Sequence, residues 1–214
     1  MRSIFAKALV APLVSCLFAG FAHATAVSVT TSPNLAIPDA VPAGITSTAN
    51  LLDPGTINSI NVSVALTHTW IGDLRVTLTH GSNTVTLMNK PGATSPTGAG
   101  DSSNLIATSP LNFSAGGLAT AFTIGAGCSG TETVGAGAGC LNLSFMPDSP
   151  FTSFIGDIAA GAWVLTVVDT ASLDIGTLAN WTLNLDVSTD NPVPVPATLA
   201  LVGLGAVGLL RRRR

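Results

Sequence analysis

Between residues 60 and 87 apolar side chains recur at every second position. Ile60, Val62, Val64 and Leu66 alternate with Asn61, Ser63 and Thr67. Leu74, Val76 and Leu78 then alternate with Arg75, Thr77 and Thr79, and Val85 and Leu87 follow the turn-forming tetrapeptide HGSN at 80–83. A period of two predicts strands with one buried face, and the tetrapeptide predicts a hairpin. The pattern returns late in the chain, in GAWVLTVVD (161–169) and ANWTLNLDV (179–187), where Trp181, Leu183, Leu185 and Val187 share a face. Helical periodicity is almost absent from the body, and Gly, Pro, Ser and Asn clusters between strands leave no room for a crossover helix. The expectation is an all-β fold with two antiparallel sheets packed as a sandwich or jelly roll. Residues 92–140 are less regular and predict long loops with short strands, for example ATAFTI at 119–124.

The two ends follow other rules. Residues 1–24 have a basic start (Arg2, Lys7), the apolar run ALVAPLVSCLFAGFA, and the small-x-small pattern Ala22-His23-Ala24. That is the layout of a cleaved export signal. At the other end, the uncharged residues 197–210 precede Arg211, Arg212, Arg213 and Arg214. A helix over 197–210 would reach roughly 21 Å, short of the roughly 30 Å hydrocarbon core, and snorkelling arginines would help close the gap. Pro194 and Pro196 break this segment from what precedes it. The segment VPVPATLALVGLGAVGLLRRRR resembles the PEP-CTERM sorting tail of Gram-negative bacteria, with Val195 where that family usually has glutamate. The resemblance implies an exosortase-type membrane protease as partner of the tail. It also implies transient anchoring in the inner membrane, then delivery to the cell surface or exopolysaccharide matrix.

Setting the ends aside changes the charge picture. The body, residues 25–190, holds all eleven acidic residues and only two basic ones, Arg75 and Lys90, so it stands near −9. A nucleic-acid surface is excluded on that balance. Cys16 belongs to the export segment, which leaves Cys128 and Cys140 as one pair for an oxidising compartment. A disulfide between them would close the Gly-rich stretch at about 125–140 and offset its loop entropy by about 3 kcal/mol. Asp73, Asp101, Asp157, Asp169 and Asp174 form the pool from which a structural Ca²⁺ site could be built, since that ion takes oxygen ligands from loops. The competing role for the same residues is turn capping without metal.

Chemistry-bearing residues crowd into one stretch, HTWIGDLRVTLTHG at 68–81, with His68, Trp70, Asp73, Arg75 and His80. A serine-protease triad needs an activated serine beside a paired His and Asp, and subtilisin-like blocks are missing here. VVDTAS at 167–172 lacks the glycine of an aspartic-protease loop, and no second copy exists. Zinc catalysis lacks ligands at suitable spacing. Three ordered blocks instead resemble a known family, the P domain (P/Homo B) that follows the catalytic domain in proprotein convertases. They are His68-Thr69-x-x-Gly72-Asp73-Leu74, then Gly161-x-Trp163-x-Leu165-x-Val167-x-Asp169, then Asp174-x-Gly176-x-Leu178-x-x-Trp181. The similarity runs from about 38 to 187, with the Gly-rich cysteine segment as an insertion. It implies a β-sandwich of jelly-roll, galactose-binding-like type and a non-catalytic role stabilising or regulating a separate subtilisin-like protease. The first block is then structural: Gly72 for a tight turn, Asp73 for nearby backbone amides, and His68 and Trp70 closing the end of the core. An extracellular carbohydrate-binding, adhesive matrix protein is the other reading.

Overall fold

The computed structural model describes residues 23–137 and 139–189. The export segment up to residue 22, the linker, the expected apolar helix at 197–210 and the arginine cluster lie outside the described residues. Among the described residues no helix is long and apolar enough to cross a membrane.

Among the described residues the alternation seen in the sequence becomes eleven strands in two sheets. They are β1 (His23–Thr31), β2 (Leu35–Ile37), β3 (Ile45–Leu51), β4 (Thr56–His68), β5 (Leu74–His80), β6 (Asn83–Asn89), β7 (Leu111–Ser114), β8 (Ala119–Thr120), β9 (Ser144–Met146), β10 (Gly161–Asp169) and β11 (Gly176–Thr189). One sheet runs β1-β11-β4-β7-β9-β8, with β2 also paired to β11; the other runs β3-β10-β5-β6. The two share one apolar cluster, a sandwich arrangement in which inward residues of both sheets interdigitate.

Two strands form the spine. In β4 and β11 the inward residues face one another in pairs: Leu66 with Leu178, Val64 with Trp181, Val62 with Leu183 and Ile60 with Leu185. The step from Leu178 to Trp181 is odd, which would turn one of the two outward in a regular strand. A register shift between Leu178 and Asn180 absorbs the extra residue, so both stay buried. In the other sheet β10 lies between β3 and β5, and Trp163, Leu165 and Val167 stand opposite His80, Leu78 and Val76. β5 and β6 form the expected hairpin, turning at Gly81 (φ +56°) and Ser82.

Two expectations need correction. The fold is not wholly antiparallel, because β7 and β8 each pair parallel with β9. The long irregular connection from β8 to β9 lets these short strands run in the same direction. The stretch 119–124 is a strand only at Ala119–Thr120 and then winds into a 3-10 turn, Ala121–Thr123. Its two fully buried residues, Ala121 and Ile124, are three apart, which suits a helical turn and not a strand. β1 begins at His23 and runs antiparallel to the end of β11, with Ala24 opposite Ser188.

Cys128 and Cys140 are joined by a disulfide. Cys140 is buried, and Val134, inside the closed loop, is buried with it. The loop is held against the sandwich by a bridge between Asn104 and Thr133.

Candidate functional site

The polar stretch at 68–74 ends β4, makes a 3-10 turn over Ile71–Asp73 and starts β5. His68 is the last inward position of β4, and Asp169 is the last inward position of β10. These two strands belong to different sheets, and their ends meet inside the sandwich. His68 Nε2 lies 3.2 Å from Asp169 Oδ2, with both side chains fully buried. The other ring nitrogen, Nδ1, sits 2.8 Å from the Trp70 carbonyl oxygen and 3.2 Å from the Trp70 amide. Both nitrogens are therefore engaged within the fold.

The remaining block residues tie this strand end to its surroundings. Ile71 and Gly72 donate backbone N–H groups to the carbonyls of Ser103 and Asp101. A Cβ on Gly72 would stand 2.4 Å from the Ala99 oxygen and 2.4 Å from the Asp101 nitrogen. Glycine is thus required by close approach of two backbones, and not by the turn conformation that the sequence suggested. Gly176 has the same role opposite: a Cβ there would meet the Thr67 oxygen at 2.4 Å and the His68 ring at 2.5 Å. Trp70 departs from the expected place closing the end of the core. It is half-buried, lies outside the core, and donates from Nε1 to the Ala99 carbonyl at 2.7 Å. Thr69 donates to Asp174 Oδ1 at 2.7 Å, which fixes the loop before β11.

Asp73 also differs from expectation. Its backbone carbonyl, not its carboxylate, makes the bonds found here, accepting from Thr170 N and Thr170 Oγ1. Burial, and then the charges of Asp169 and Asp174, raise its carboxyl to about 6; Lys90 and His68 pull the other way. An acid raised in the fold binds its proton more tightly folded than unfolded, so stability falls as pH rises from about 4 through 6. Asp73→Asn is expected to raise Tm at pH 8 and to leave it nearly unchanged at pH 4, as read by thermal denaturation at both values.

The five aspartates of the candidate Ca²⁺ pool are dispersed over several jobs. Asp169 also accepts from the Ala171 amide, and Asp101 accepts from the amide and hydroxyl of Ser103. Asp157 accepts from Asn83 Nδ2 at 2.9 Å. Asp73 feels the charges of Asp169 and Asp174. Among the described residues no group of three His, Cys, Asp or Glu side chains is placed to hold a metal ion.

The start of the second block lies at the far end of β10, beside His80. Gly161 opens β10 beside His80, and Trp163 follows with no exposure. The His80 ring stacks on Trp163 at 4.0 Å and 5°, with its nitrogens 3.0 and 2.8 Å from the Ala162 and Ile158 carbonyl oxygens. Trp163 Nε1 donates to the Ala159 carbonyl, and Trp181 Nε1 donates to Ser47 Oγ. The anchoring role of His80 was not visible in the sequence, because its partners lie about 80 residues away.

Residues 130–185 match the proprotein convertase P-domain, and residues 192–214 match the PEP-CTERM protein-sorting motif. Both signatures are present. The P-domain match spans the Trp163 and Trp181 blocks and stops short of the His68 block, which joins them through the His68–Asp169 and Thr69–Asp174 contacts. No curated protein matches the chain. Among solved structures, the serine protease of Aeromonas sobria in complex with the chaperone is similar at 17% identity with a TM-score of 0.47, covering 78% of this chain and 27% of that one. The Aeromonas sobria serine protease alone gives 16% and 0.46, covering 78% and 28%. The chain thus spans little more than a quarter of the length of those proteases.

Proposed function

We propose that the protein is a non-catalytic P-domain module, exported and sorted to the cell envelope or exopolysaccharide matrix, where it stabilises or regulates a separate protease. The P-domain match supports association with proteolysis, and one geometric observation supports the absence of catalysis. A general base needs a free nitrogen within reach of a nucleophile's proton. In His68 one nitrogen faces Asp169 and the other faces the Trp70 backbone, both beneath the surface. Such a pair holds two strand ends together and has nothing left with which to activate a serine or water. The sandwich is read as a jelly roll, with residues 25–190 as its domain. Asp73, Asp101, Asp157, Asp169 and Asp174 are read as turn and loop residues without a shared metal, so melts in EDTA and in excess Ca²⁺ are expected to coincide.

The tail supplies the address. An apolar helix at 197–210 would enter the bilayer, and the four terminal arginines would stop it there, since each costs at least about 2.5 kcal/mol at the bilayer centre. An exosortase-type protease would then cut near VPVP, the segment that holds Pro194 and Pro196. Replacing Arg211, Arg212, Arg213 and Arg214 with serine is expected to let uncut protein pass through the membrane or be mis-sorted. Immunoblots of membrane and medium fractions read the outcome. Retention, cutting and delivery like wild type would remove the stop-and-sort role.

A further inference from the structure

Arg75 and Lys90 are the two cations of a body that carries eleven acids, and the fold puts both on one cavity. The cavity has a volume of about 780 Å³, within the range of small-ligand sites. Arg75 leaves the outer face of β5 opposite Asn89 of β6, and Lys90 follows directly where β6 ends. The far wall is the loop carrying Thr94, Ser95 and Thr97. Lys90 sits in the left-handed region (φ +50°), a conformation strained for a non-glycine residue. Its backbone is held there by bonds to Leu74 and Ala93, which fix where the side chain departs. Among the described residues neither cation forms an ion pair, and the Arg75 guanidinium takes part in no hydrogen bond. Lys90 Nζ reaches the Pro96 carbonyl at 3.4 Å, and Asp73 feels its charge from within. Asp148 stands behind Asn89, accepting its backbone amide.

We propose that this cavity binds a uronate-containing saccharide, with the ligand carboxylate on Arg75 and Lys90 and the sugar hydroxyls on the loop and Asn89. An arginine fork matches a carboxylate with two parallel N–H bonds, and lysine adds a point charge. The walls present hydroxyl and amide groups suited to a ligand dense in hydroxyls. They contain no aromatic ring and no large apolar side chain. A neutral sugar therefore has nothing to stack on, and a peptide has no anchor pocket. The net negative body repels long polyanions, so short acidic oligomers or chain ends are the ligands favoured. The inference goes beyond the protease-associated reading and stands or falls independently of it.

The test is isothermal titration calorimetry of the full-length chain with tri-galacturonate, with its methyl ester and with a hexaglutamate peptide. Tri-galacturonate is expected to bind, more weakly as salt is raised, while the ester does not. Arg75→Gln should weaken binding about tenfold, and Arg75→Gln with Lys90→Gln should abolish it, both with unchanged circular dichroism because the side chains carry no internal contacts of weight. No binding, equal binding of the ester, or undiminished affinity in the double variant overturns the proposal. Hexaglutamate binding as tightly as tri-galacturonate also overturns it, and makes the occupant an acidic peptide. Loss of binding in these variants leaves the protease-associated role untouched, and failure to find a protease leaves the saccharide site untouched.

Discussion

Trp163→Ala is expected to destabilise the domain by about 3–5 kcal/mol, a large share of the stability of a domain of this size. Trp163 is fully buried in β10 and touches the core on every side. One face stacks on His80 at 4.0 Å, and Phe154 meets it edge-on at 5.2 Å. Its Nε1 supplies the Ala159 carbonyl with a donor at 3.0 Å. Truncation removes the largest side chain of this sheet, leaves a cavity between two sheets that cannot close on it, and strands a carbonyl. It also strips His80 of its stacking partner while its two carbonyl contacts remain. Trp70→Ala is the matched control, because that ring lies half-buried outside the core and should cost about 1 kcal/mol or less. Urea unfolding followed by far-ultraviolet circular dichroism distinguishes the two. Similar midpoints for both variants would mean that the packing around β10 is not as described.

The second large effect is expected at the His68–Asp169 pair. Both side chains are fully buried, so removing either partner leaves a polar or charged group without compensation. Asp169→Ala is expected to cost about 3–5 kcal/mol, and His68→Ala a similar amount. The double variant should cost clearly less than the sum, because neither change then orphans the other group. Asp169→Asn is milder: the amide keeps the shape and can still accept from the Ala171 amide. A double-mutant cycle in urea gives the coupling directly. A cycle that closes at zero would mean that the two side chains do not interact, and that the strand ends are held by the surrounding backbone bonds alone.

Alternation made the sheets legible and left their partners unreadable. The inward faces of β4, β5, β10 and β11 can be read from residues such as Val62, Leu78, Leu165 and Leu183, because a half-buried strand must alternate. Which strand lies beside which cannot be read this way. His68 and Asp169 are 101 residues apart, and each looks like an ordinary strand-end polar residue until the two sheets are stacked. Gly72 illustrates a different limit. A glycine in a turn-like sequence suggests a need for positive φ, whereas here the need is for Ala99 and Asp101 to pass without a Cβ in the way. Trp70 kept the parity of the inward face in sequence but lies beyond the end of β4, where parity no longer applies. In the segment around Ala121 and Ile124, spacing three was hidden by apolar neighbours that also fit a short strand. The meeting of Arg75 and Lys90 on one cavity depends on how a loop folds over a hairpin, and no local pattern encodes that.

We propose that the polar cluster around His68 and Asp169 holds the fold together and performs no catalysis. This is tested most directly by assaying the purified full-length chain against a broad peptide library, with unfolding measured on the same preparations of wild type and His68→Gln. The account predicts no hydrolysis above the buffer rate from either protein, and a lowered unfolding midpoint for His68→Gln. Reproducible hydrolysis by wild type that disappears in a His68→Gln protein of unchanged stability would contradict it.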